Sequence, residues 1–369
     1  MRILVVNAGS STLKLAVLDD GDLVVGSSTI DPWAGADDTD SIKDFLDQNE
    51  PVDAVGHRIV HGGARFGEPV RLTPAVGAAL EALSDLAPLH QPRALAGIRA
   101  VGSALPGAPM VGCFDTAFHR SMPAAAATYA LPTSWQERFG LRRFGFHGLS
   151  HAYAARRAAQ LVRGEVNDLR IVTCHLGAGA SLCAVSGGIS VDTTMGFTPL
   201  EGVVMATRSG SVDPGLLLWL LQARGIGVDD LAQTLEHSSG LAGMTSTSGD
   251  MREVQAAADA GQPAALLAIA VYVHRLRGAI AAMAAAMNGV DVLVFTGGVG
   301  ENHPRIRHAA ASGVGFLGVG IDQQANAETT ADGDITRPGS SARTVVVTAR
   351  EDLEIAREVR QVVTGAERP

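Results

Sequence analysis

A pattern of strand, glycine turn and strand opens the sequence and returns at mid-chain, and it constrains the fold more than any other feature. Apolar runs flank a glycine turn in residues 3–18, and a related arrangement occupies residues 170–185. When the two segments are aligned, Gly9 falls on Gly177. The match is short enough to arise by chance. The alternative is an internal duplication, in which two β-rich halves hold a nucleotide between them.

The length of the chain and the order of its predicted elements favour two α/β domains. A chain of 369 residues with 46% hydrophobic and 18% charged residues is long enough for two globular cores. Apolar spacing near 3.6 predicts helices, and short apolar runs predict buried strands. Helices are predicted at 75–86, 151–162 (capped by Ser150), 214–223, 228–236, 262–288 and 351–363, and strands at 290–295 and 344–348. Alternation of the two indicates α/β layers.

Charge and cysteine usage exclude several classes of protein. The net charge is −9 and Lys and Arg are scattered, so nucleic acid is not expected as the main partner. The three cysteines include no CxxC pair, which argues against a zinc site or disulfide framework and favours a reducing, cytoplasmic location. His274, Arg275 and Arg277 interrupt the longest apolar stretch, so we expect a buried amphipathic helix and no membrane span.

Three glycine turns are candidate cradles for phosphate, at residues 7–12, 177–181 and 297–302. In such turns successive backbone N–H groups can point one way, and glycine admits a bulky anion close to the chain. A single glycine turn between strands is usually only a turn. None of the three matches the Walker A or Rossmann pattern, so those folds are disfavoured.

Eight segments in order along the chain carry a family resemblance. They are residues 7–14 (NAGSSTLK), 56–63 (GHRIVHGG), 114–119 (FDTAFH), 144–151 (FGFHGLSH), 192–202 (DTTMGFTPLEG), 207–210 (TRSG), 248–252 (SGDMR) and 295–302 (FTGGVGEN). Together they resemble the acetate kinase family, within the superfamily of sugar kinases, actin and heat-shock-70 ATPases. The resemblance implies an α/β, two-domain, duplicated βββαβα fold (ribonuclease H-like, actin-like ATPase) with an interdomain cleft. It also implies an N-terminal domain of residues 1–116 completed by the C-terminal helix at 352–369, and a second, nucleotide-binding domain of residues 117–351.

The resemblance further implies an activity. It is reversible transfer of the γ-phosphoryl group of ATP to acetate, giving ADP and acetyl phosphate, by a cytoplasmic homodimer. Mg²⁺ is the implied metal, with Mn²⁺ as an alternative. Domain closure is expected to exclude water from the reaction. A propionate or short-chain acyl kinase, and a nucleotide-binding pseudoenzyme or regulator on the same fold, stay open as alternatives.

The resemblance assigns catalytic roles to Arg58, Asp115, His147 and Arg208. A phosphoryl group that passes between two anions needs fixed positive charge, and Arg offers a planar fork that stays charged. An imidazole N–H at His147 can donate to a phosphoryl oxygen without proton transfer. Asp115 is expected to orient an Arg or a metal-bound water, because acetate is already ionised and needs no general base. From the residues alone, a surface ion pair, a packed His and a helix cap are the ordinary alternatives.

The resemblance also assigns binding roles. Asn7 and Glu351 match the magnesium positions, which suits a metal that takes few protein oxygens. The positions that match ATP contacts are Lys14, His175, Leu176, Gly177, Ala178, Gly179, Asp250, Met251, Arg252, Gly298, Val299, Gly300, Glu301 and Asn302. Those that match the acyl substrate are Arg58, Val60, Leu89, Phe146 and Pro199. An apolar pocket separates acids that differ by one methylene by only about 1–3 kcal/mol, so propionate is a candidate second substrate.

Four positions depart from the family pattern. Ala178 stands where the family usually has Asn, and Ser211 where Asp is usual. Gln91 and Arg350 each replace a usual Asn. The loss of the amide at residue 178 is expected to affect nucleotide affinity or rate, while the backbone N–H groups of that turn survive. None of these changes removes a predicted catalytic residue, so we expect an active enzyme with altered kinetics.

Overall fold

The computed structural model describes residues 1–9, 12–35, 38–87 and 90–365. The chain forms two compact units. Unit 1 comprises residues 1–120, residues 146–153 and the C-terminal residues from Arg350; unit 2 comprises residues 121–145 and 154–349. The domain limits that the sequence suggested, 1–116 with 352–369 and 117–351, stay a prediction.

The strands and helices of the described chain follow in order. The strands are β1 Ile3–Ala8, β2 Leu13–Leu18, β3 Val24–Ile30, β4 Ala54–Ile59, β5 Val70–Arg71, β6 Met110–Phe114, β7 Arg170–Leu176, β8 Ala180–Ser186, β9 Ile189–Thr193, β10 Val292–Thr296, β11 Gly333–Asp334 and β12 Arg343–Val346. The helices are α1 Asp40–Asp47, α2 Pro74–Glu81, α3 Gln91–Ala104, α4 Ala124–Ala127, α5 Thr133–Phe139, α6 Gly148–Leu161, α7 Pro214–Ala223, α8 Val228–His237, α9 Gly240–Thr245, α10 Met251–Asp259, α11 Pro263–Ala286, α12 Gly297–Asn302, α13 Pro304–Ser312, α14 Gln323–Glu328 and α15 Glu351–Thr364.

Unit 1 is built on a sheet that is covered on both faces. Side chains alternate across a strand, so a strand buried on both faces reads as one continuous apolar run. In β1, Ile3 and Val5 pack into a cluster with Ile355 and Val359 of α15. Leu4 and its face of the sheet pack instead with residues of α1 and α3. The C-terminal helix is therefore part of the unit 1 core.

The two sheets have the same strand order. In unit 1 it is β3-β2-β1-β4-β6-β5, and in unit 2 it is β9-β8-β7-β10-β12-β11 read from the corresponding edge. The pairing directions also agree: β1 and β7 each run antiparallel to the next strand of the chain and parallel to the fourth strand of their sheet. This repeated topology is the arrangement that an internal duplication predicts.

Helix α11 is long and apolar enough, by length and composition, to cross a membrane. It packs against β7 and β8 of unit 2. Its buried residues, among them Tyr272, Leu276, Ile280 and Met283, recur at helical spacing and form one stripe. This stripe is the buried amphipathic helix that the interrupted apolar pattern predicted.

Two local predictions need correction. The helix predicted at 75–86 ends at Glu81, and a short 3₁₀ turn follows at Ser84–Leu86. Helix α6 begins at Gly148, so Ser150 lies inside it and does not cap it. The N–H of Gly148 donates to the carbonyl oxygen of Asp115 at 2.8 Å, which explains the earlier start.

Candidate active site

A buried ion pair lies at one edge of the unit 1 sheet. Strands β4 and β6 are parallel, so their carboxyl ends meet there. Arg58 donates from Nε to Asp115 Oδ1 at 3.0 Å and from Nη2 to Asp115 Oδ2 at 2.7 Å. The Asp115 side chain is 1% exposed and the Arg58 side chain 20%. This two-bond contact fixes the plane of the guanidinium.

The third nitrogen of Arg58 faces two more oxygens. Its Nη1 lies 3.4 Å from Asn7 Oδ1 and 3.5 Å from Glu351 Oε2. Burial alone would lower the pKa of Arg58, but Asp115 and Glu351 outweigh it and raise the pKa. Burial raises the pKa of Glu351, and the Arg58 charge only partly opposes this. Lys14 pairs with Asn7 across β1 and β2, so it lies in unit 1, on the same face as Asn7.

These oxygens suit a hard divalent cation. The Asn7 amide oxygen and a Glu351 carboxylate oxygen converge on one Arg58 nitrogen, and oxygen donors of this kind are what Mg²⁺ prefers. Within the described ranges, no group of three or more His, Cys, Asp or Glu side chains is arranged to hold a metal. A metal held by Asn7 and Glu351 would therefore complete its shell with water and phosphate oxygens.

The His147 loop rests directly on Asp115. His147 has a φ of +56°, in the left-handed region that side chains other than Gly rarely adopt. A Cβ on the next residue, Gly148, would overlap the Asp115 carbonyl oxygen. Strain of this kind persists only where neighbours impose it, and it clusters at functional sites. The ring of His147 lies 6.5 Å from that of His151.

Burial also acts on His57 and His119 of unit 1. His119 Nε2 lies 3.0 Å from the carbonyl oxygen of Phe146, which can only accept, so the ring donates there. Burial lowers the pKa of His119 to about 4 and that of His57 to about 3. Both rings are neutral at neutral pH, and His119 supports the loop that carries His147.

The predicted acyl pocket is only partly described. Phe146 is 1% exposed, and its ring meets that of His61 edge-on at 5.4 Å. Val60 is half-buried in unit 1, whereas Pro199 belongs to unit 2. Leu89 lies outside the described residues.

Unit 2 contains a cavity of about 800 Å³. That volume is in the range of sites for nucleotide-sized ligands. Its walls include ten predicted residues, Gly177, Ala178, Gly179, Arg208, Asp250, Met251, Arg252, Gly298, Val299 and Asn302. The cavity therefore brings together three sequence segments that the resemblance matched to ATP contacts, and adds Arg208.

Tight glycine turns shape this cavity. The turn after β7 is closed by the Gly177 N–H, which donates to the Gly179 carbonyl at 3.0 Å. Gly297 opens α12 with a φ of +76°, and a Cβ there would come within 2.8 Å of the Leu176 carbonyl oxygen. Only glycine lets α12 start so close to β7.

Asp250 begins helix α10 at the rim of the cavity. Its Oδ1 accepts the Arg252 N–H at 2.8 Å, and its side chain also pairs with the Arg252 guanidinium. These bonds from Arg252 lower the pKa of Asp250 to about 2. The Arg252 side chain is 81% exposed, so solvent screens its pair with Asp250.

Arg208 is held differently from Arg58. Its Nη1 donates to the Pro199 carbonyl at 3.3 Å and lies 3.9 Å from Met205 Sδ. The acceptors of its hydrogen bonds within the described residues include no carboxylate. Burial lowers the pKa of Arg208, and the charge of Glu236 only partly opposes this. A partly desolvated cation without a paired anion is suited to bind one.

The residues that line the cavity differ in part from those predicted from the sequence. His175, Leu176, Gly300 and Glu301 do not line it: Leu176 is fully buried in β7, and Glu301 Oε1 accepts the Ala349 N–H at 3.0 Å. Sequence reasoning missed Ala206, Thr207, Leu241, Ser248, Gly249, Tyr272 and His303. Thr207, Ser248 and Gly249 lie in segments that carry the resemblance, whereas Leu241 and Tyr272 have only the pattern of core residues.

The predicted catalytic residues divide between the units. Arg58, Asp115 and His147 lie in unit 1 with Asn7 and Glu351, and Arg208 lies in unit 2. Their joint action at one phosphoryl group stays a prediction.

Comparison with known proteins assigns the family. The model of the acetokinase family matches residues 37–357. An acetate kinase of Synechococcus sp. (strain JA-2-3B'a(2-13)) is 49% identical over 321 residues, which cover 87% of this chain and 79% of that protein. The crystal structure of Porphyromonas gingivalis acetate kinase matches with a TM-score of 0.92 and 36% identity, over 98% of this chain and 99% of that one. A propionate kinase from Francisella tularensis subsp. tularensis SCHU S4 matches with a TM-score of 0.91 and 35% identity, over 98% and 99% of the two chains. These matches confirm the actin-like fold class, and the chain belongs to the acetokinase family.

Proposed function

We propose that this protein catalyses the reversible, Mg²⁺-dependent transfer of the γ-phosphoryl group of ATP to acetate. Membership of the acetokinase family makes it a phosphotransferase with a carboxyl acceptor. The observation that carries the proposal is the Arg58 guanidinium, held by buried Asp115 with its Nη1 directed at the oxygens of Asn7 and Glu351. A cation fixed in this way can receive an anionic acceptor and a phosphoryl oxygen.

The step itself is an in-line displacement at phosphorus. A carboxylate oxygen of acetate forms a bond to the γ-phosphorus as the bond to the bridging oxygen of ADP breaks, and no proton is transferred. Positive charge and N–H donors around the equatorial oxygens stabilise the loose transition state. Arg58, Arg208 and an N–H of His147 are assigned to those oxygens. Mg²⁺ held by Asn7 and Glu351 would reduce the charge on the phosphate oxygens.

Nucleotide binding is assigned to the unit 2 cavity. The turn at Gly177–Gly179 and the start of α12 would offer backbone N–H groups to phosphate. Exclusion of water from the bound ligands would protect the phosphoryl donor from hydrolysis.

Propionate is the second candidate acceptor. The similarity to the Francisella propionate kinase favours it, as does an apolar wall formed in part by Phe146. A hydroxylamine trap, which converts acyl phosphates to hydroxamates, should be run with formate, acetate, propionate and butyrate. We expect the highest kcat/KM with acetate. A higher value with butyrate would refute the substrate assignment, and no hydroxamate with any acid while ATP still binds would favour a pseudoenzyme or regulator.

Arg208→Ala tests the assignment of the unit 2 arginine. It should nearly abolish acyl phosphate formation and leave nucleotide binding in place, because Arg208 lies at one side of the cavity among other contacts. Unchanged turnover would remove Arg208 from the mechanism.

We also propose that the enzyme is a cytoplasmic homodimer. Large apolar side chains are exposed on α7 and α11, including Leu218, Trp219, Leu266 and Leu267. Exposed apolar groups of this size commonly mark a protein interface. All three cysteines are buried as thiols and none forms a disulfide within the described residues, which suits a reducing compartment. Sedimentation equilibrium before and after Trp219→Glu would test the dimer.

A further inference from the structure

An ion pair outside the proposed site fixes the loop that follows β9, residues 194–201. Arg143 Nη1 donates to the carbonyl oxygens of Thr194 at 3.2 Å and Met195 at 3.0 Å. Its Nη2 donates to Glu201 Oε1 at 2.7 Å. The same guanidinium therefore holds the beginning and the end of the loop.

A tyrosine completes the restraint. Tyr129 Oη donates to Glu201 Oε2 at 2.8 Å and accepts the Phe197 N–H at 2.7 Å. Burial, followed by the bond to Glu201, raises the pKa of Tyr129, so its hydroxyl stays protonated and keeps both bonds. A Cβ on Gly196 would overlap the Glu201 carboxylate, so the carboxylate packs directly against the loop backbone.

This loop carries a principal restraint on Arg208. The Pro199 carbonyl accepts from Arg208 Nη1, and a weak acceptor, Met205 Sδ, lies 3.9 Å from the same nitrogen. The hydrogen bonds of Arg208 within the described residues include no carboxylate acceptor. A shift of the loop would therefore move the carbonyl that orients this guanidinium.

We propose that Glu201 is a positioning residue: held by Arg143 and Tyr129, it sets the 194–201 loop so that the Pro199 carbonyl aims Arg208 at the transferring group. This rests on the proposed function, since it assumes that Arg208 acts in phosphoryl transfer. Glu201 does not line the unit 2 cavity. The competing explanation is that the cluster only stabilises unit 2.

A double-mutant cycle separates the two explanations. Glu201→Gln should lower kcat for acyl phosphate formation by roughly 10- to 100-fold, as expected when a catalytic group is displaced by about an ångström. The KM for ATP should stay within about twofold, and the effect of Glu201→Gln should largely vanish in an Arg208→Lys background, because residues that act through one another are not additive. Glu328→Gln, an exposed residue of α14 bonded to Gln324, is the matched control and should leave kcat unchanged.

The outcomes are distinct. An equal fold-loss from Glu201→Gln in both backgrounds, or a wild-type kcat in the Glu201→Gln variant, overturns the positioning role while the proposed function stands. A wild-type protein that makes no acyl phosphate from any acid overturns the proposed function first. If Glu201→Gln does not fold, Tyr129→Phe retains the ring and removes only the hydroxyl; it should reproduce the loss of kcat, and a wild-type kcat there overturns the proposal.

Discussion

The Asp115→Asn variant tests the catalytic role of the buried ion pair most directly. Asparagine preserves the shape of the side chain and the acceptor for Arg58 Nε, but it removes the charge and the acceptor for Nη2 at 2.7 Å. A hydrogen bond between charged groups contributes about 1.5–3 kcal/mol, and Glu351 at 3.5 Å from Nη1 still balances part of the Arg58 charge. We therefore expect the free energy of unfolding to fall by about 2–3 kcal/mol.

The expected effect on catalysis is larger than the effect on stability. Loss of a fixed transition-state donor costs roughly 100- to 1,000-fold in kcat, and without Asp115 the Arg58 guanidinium is free to rotate. The KM for ATP should change little, since the cavity to which we assign the nucleotide is lined by unit 2 residues. The assays are steady-state hydroxamate formation and urea unfolding of the same preparation.

Asp291→Asn is the matched control for this experiment. Arg170 contacts Asp291 through the same two-bond arrangement, from Nη2 to Oδ1 at 2.7 Å and from Nε to Oδ2 at 3.0 Å. Asp291 is 32% exposed, so its replacement should cost only about 1 kcal/mol and leave kcat unchanged. A kcat within twofold of wild type in Asp115→Asn, or an equal loss in both variants, would refute the argument that Asp115 acts by holding Arg58.

Three further predictions follow from local contacts. In the folded chain burial lowers the pKa of His57 to about 3 and that of His119 to about 4, whereas both protonate near 6.5 in the unfolded chain. Between these values the unfolded state binds more protons than the folded state. The free energy of unfolding should therefore fall as the pH drops from 6.5 toward 4. Urea unfolding at several pH values should show this slope, and His119→Gln should reduce it by about one proton; an unchanged slope would contradict it. Ala178→Asn should increase kcat/KM for ATP by roughly 3- to 10-fold by restoring one hydrogen bond in the cavity, measured by steady-state kinetics, and an unchanged or lower value would count against a donor role there. Gly148→Ala should lower kcat by about 100-fold by displacing His147 from Asp115, whereas Gly77→Ala, where a Cβ meets open space, should not; equal kcat values would show that the loop tolerates the shift.

The sequence predicted the strands better than the contacts between them. The apolar runs identified β1 and the neighbourhood of Asp115 at a strand end, because burial on both faces leaves a direct mark on composition. The pairing of Arg58 with Asp115 depends on β4 lying beside β6, which no local pattern encodes. Only the family resemblance linked these two residues before the structure did.

Residues with structural neighbours far along the chain were the hardest to predict. Tyr129 and Glu201 are separated by 72 positions, and each alone reads as an ordinary surface residue. Tyr272 lies in the apolar stripe of α11, so its place in the cavity wall has no signature apart from the core pattern. Ser211 departs from the family pattern, yet its hydroxyl accepts the Gly202 N–H at 3.1 Å and so links the two ends of residues 202–211.

The duplicated sheets carry different chemistry at equivalent strand ends. In unit 1 the first strand carries Asn7 near its end and the fourth strand carries Arg58, so side chains supply charge and oxygen ligands. In unit 2 the first strand leads into Gly177 and the fourth into Gly297, and at Gly297 the missing side chain leaves room for the close approach of the Leu176 backbone. The same topology thus carries an ion pair at the strand ends of one unit and leads into the walls of a cavity in the other. We therefore expect substitutions at the strand ends of unit 1 to change kcat, and substitutions at the glycine turns of unit 2 to change nucleotide affinity. Asp115→Asn tests the first expectation and Ala178→Asn tests the second.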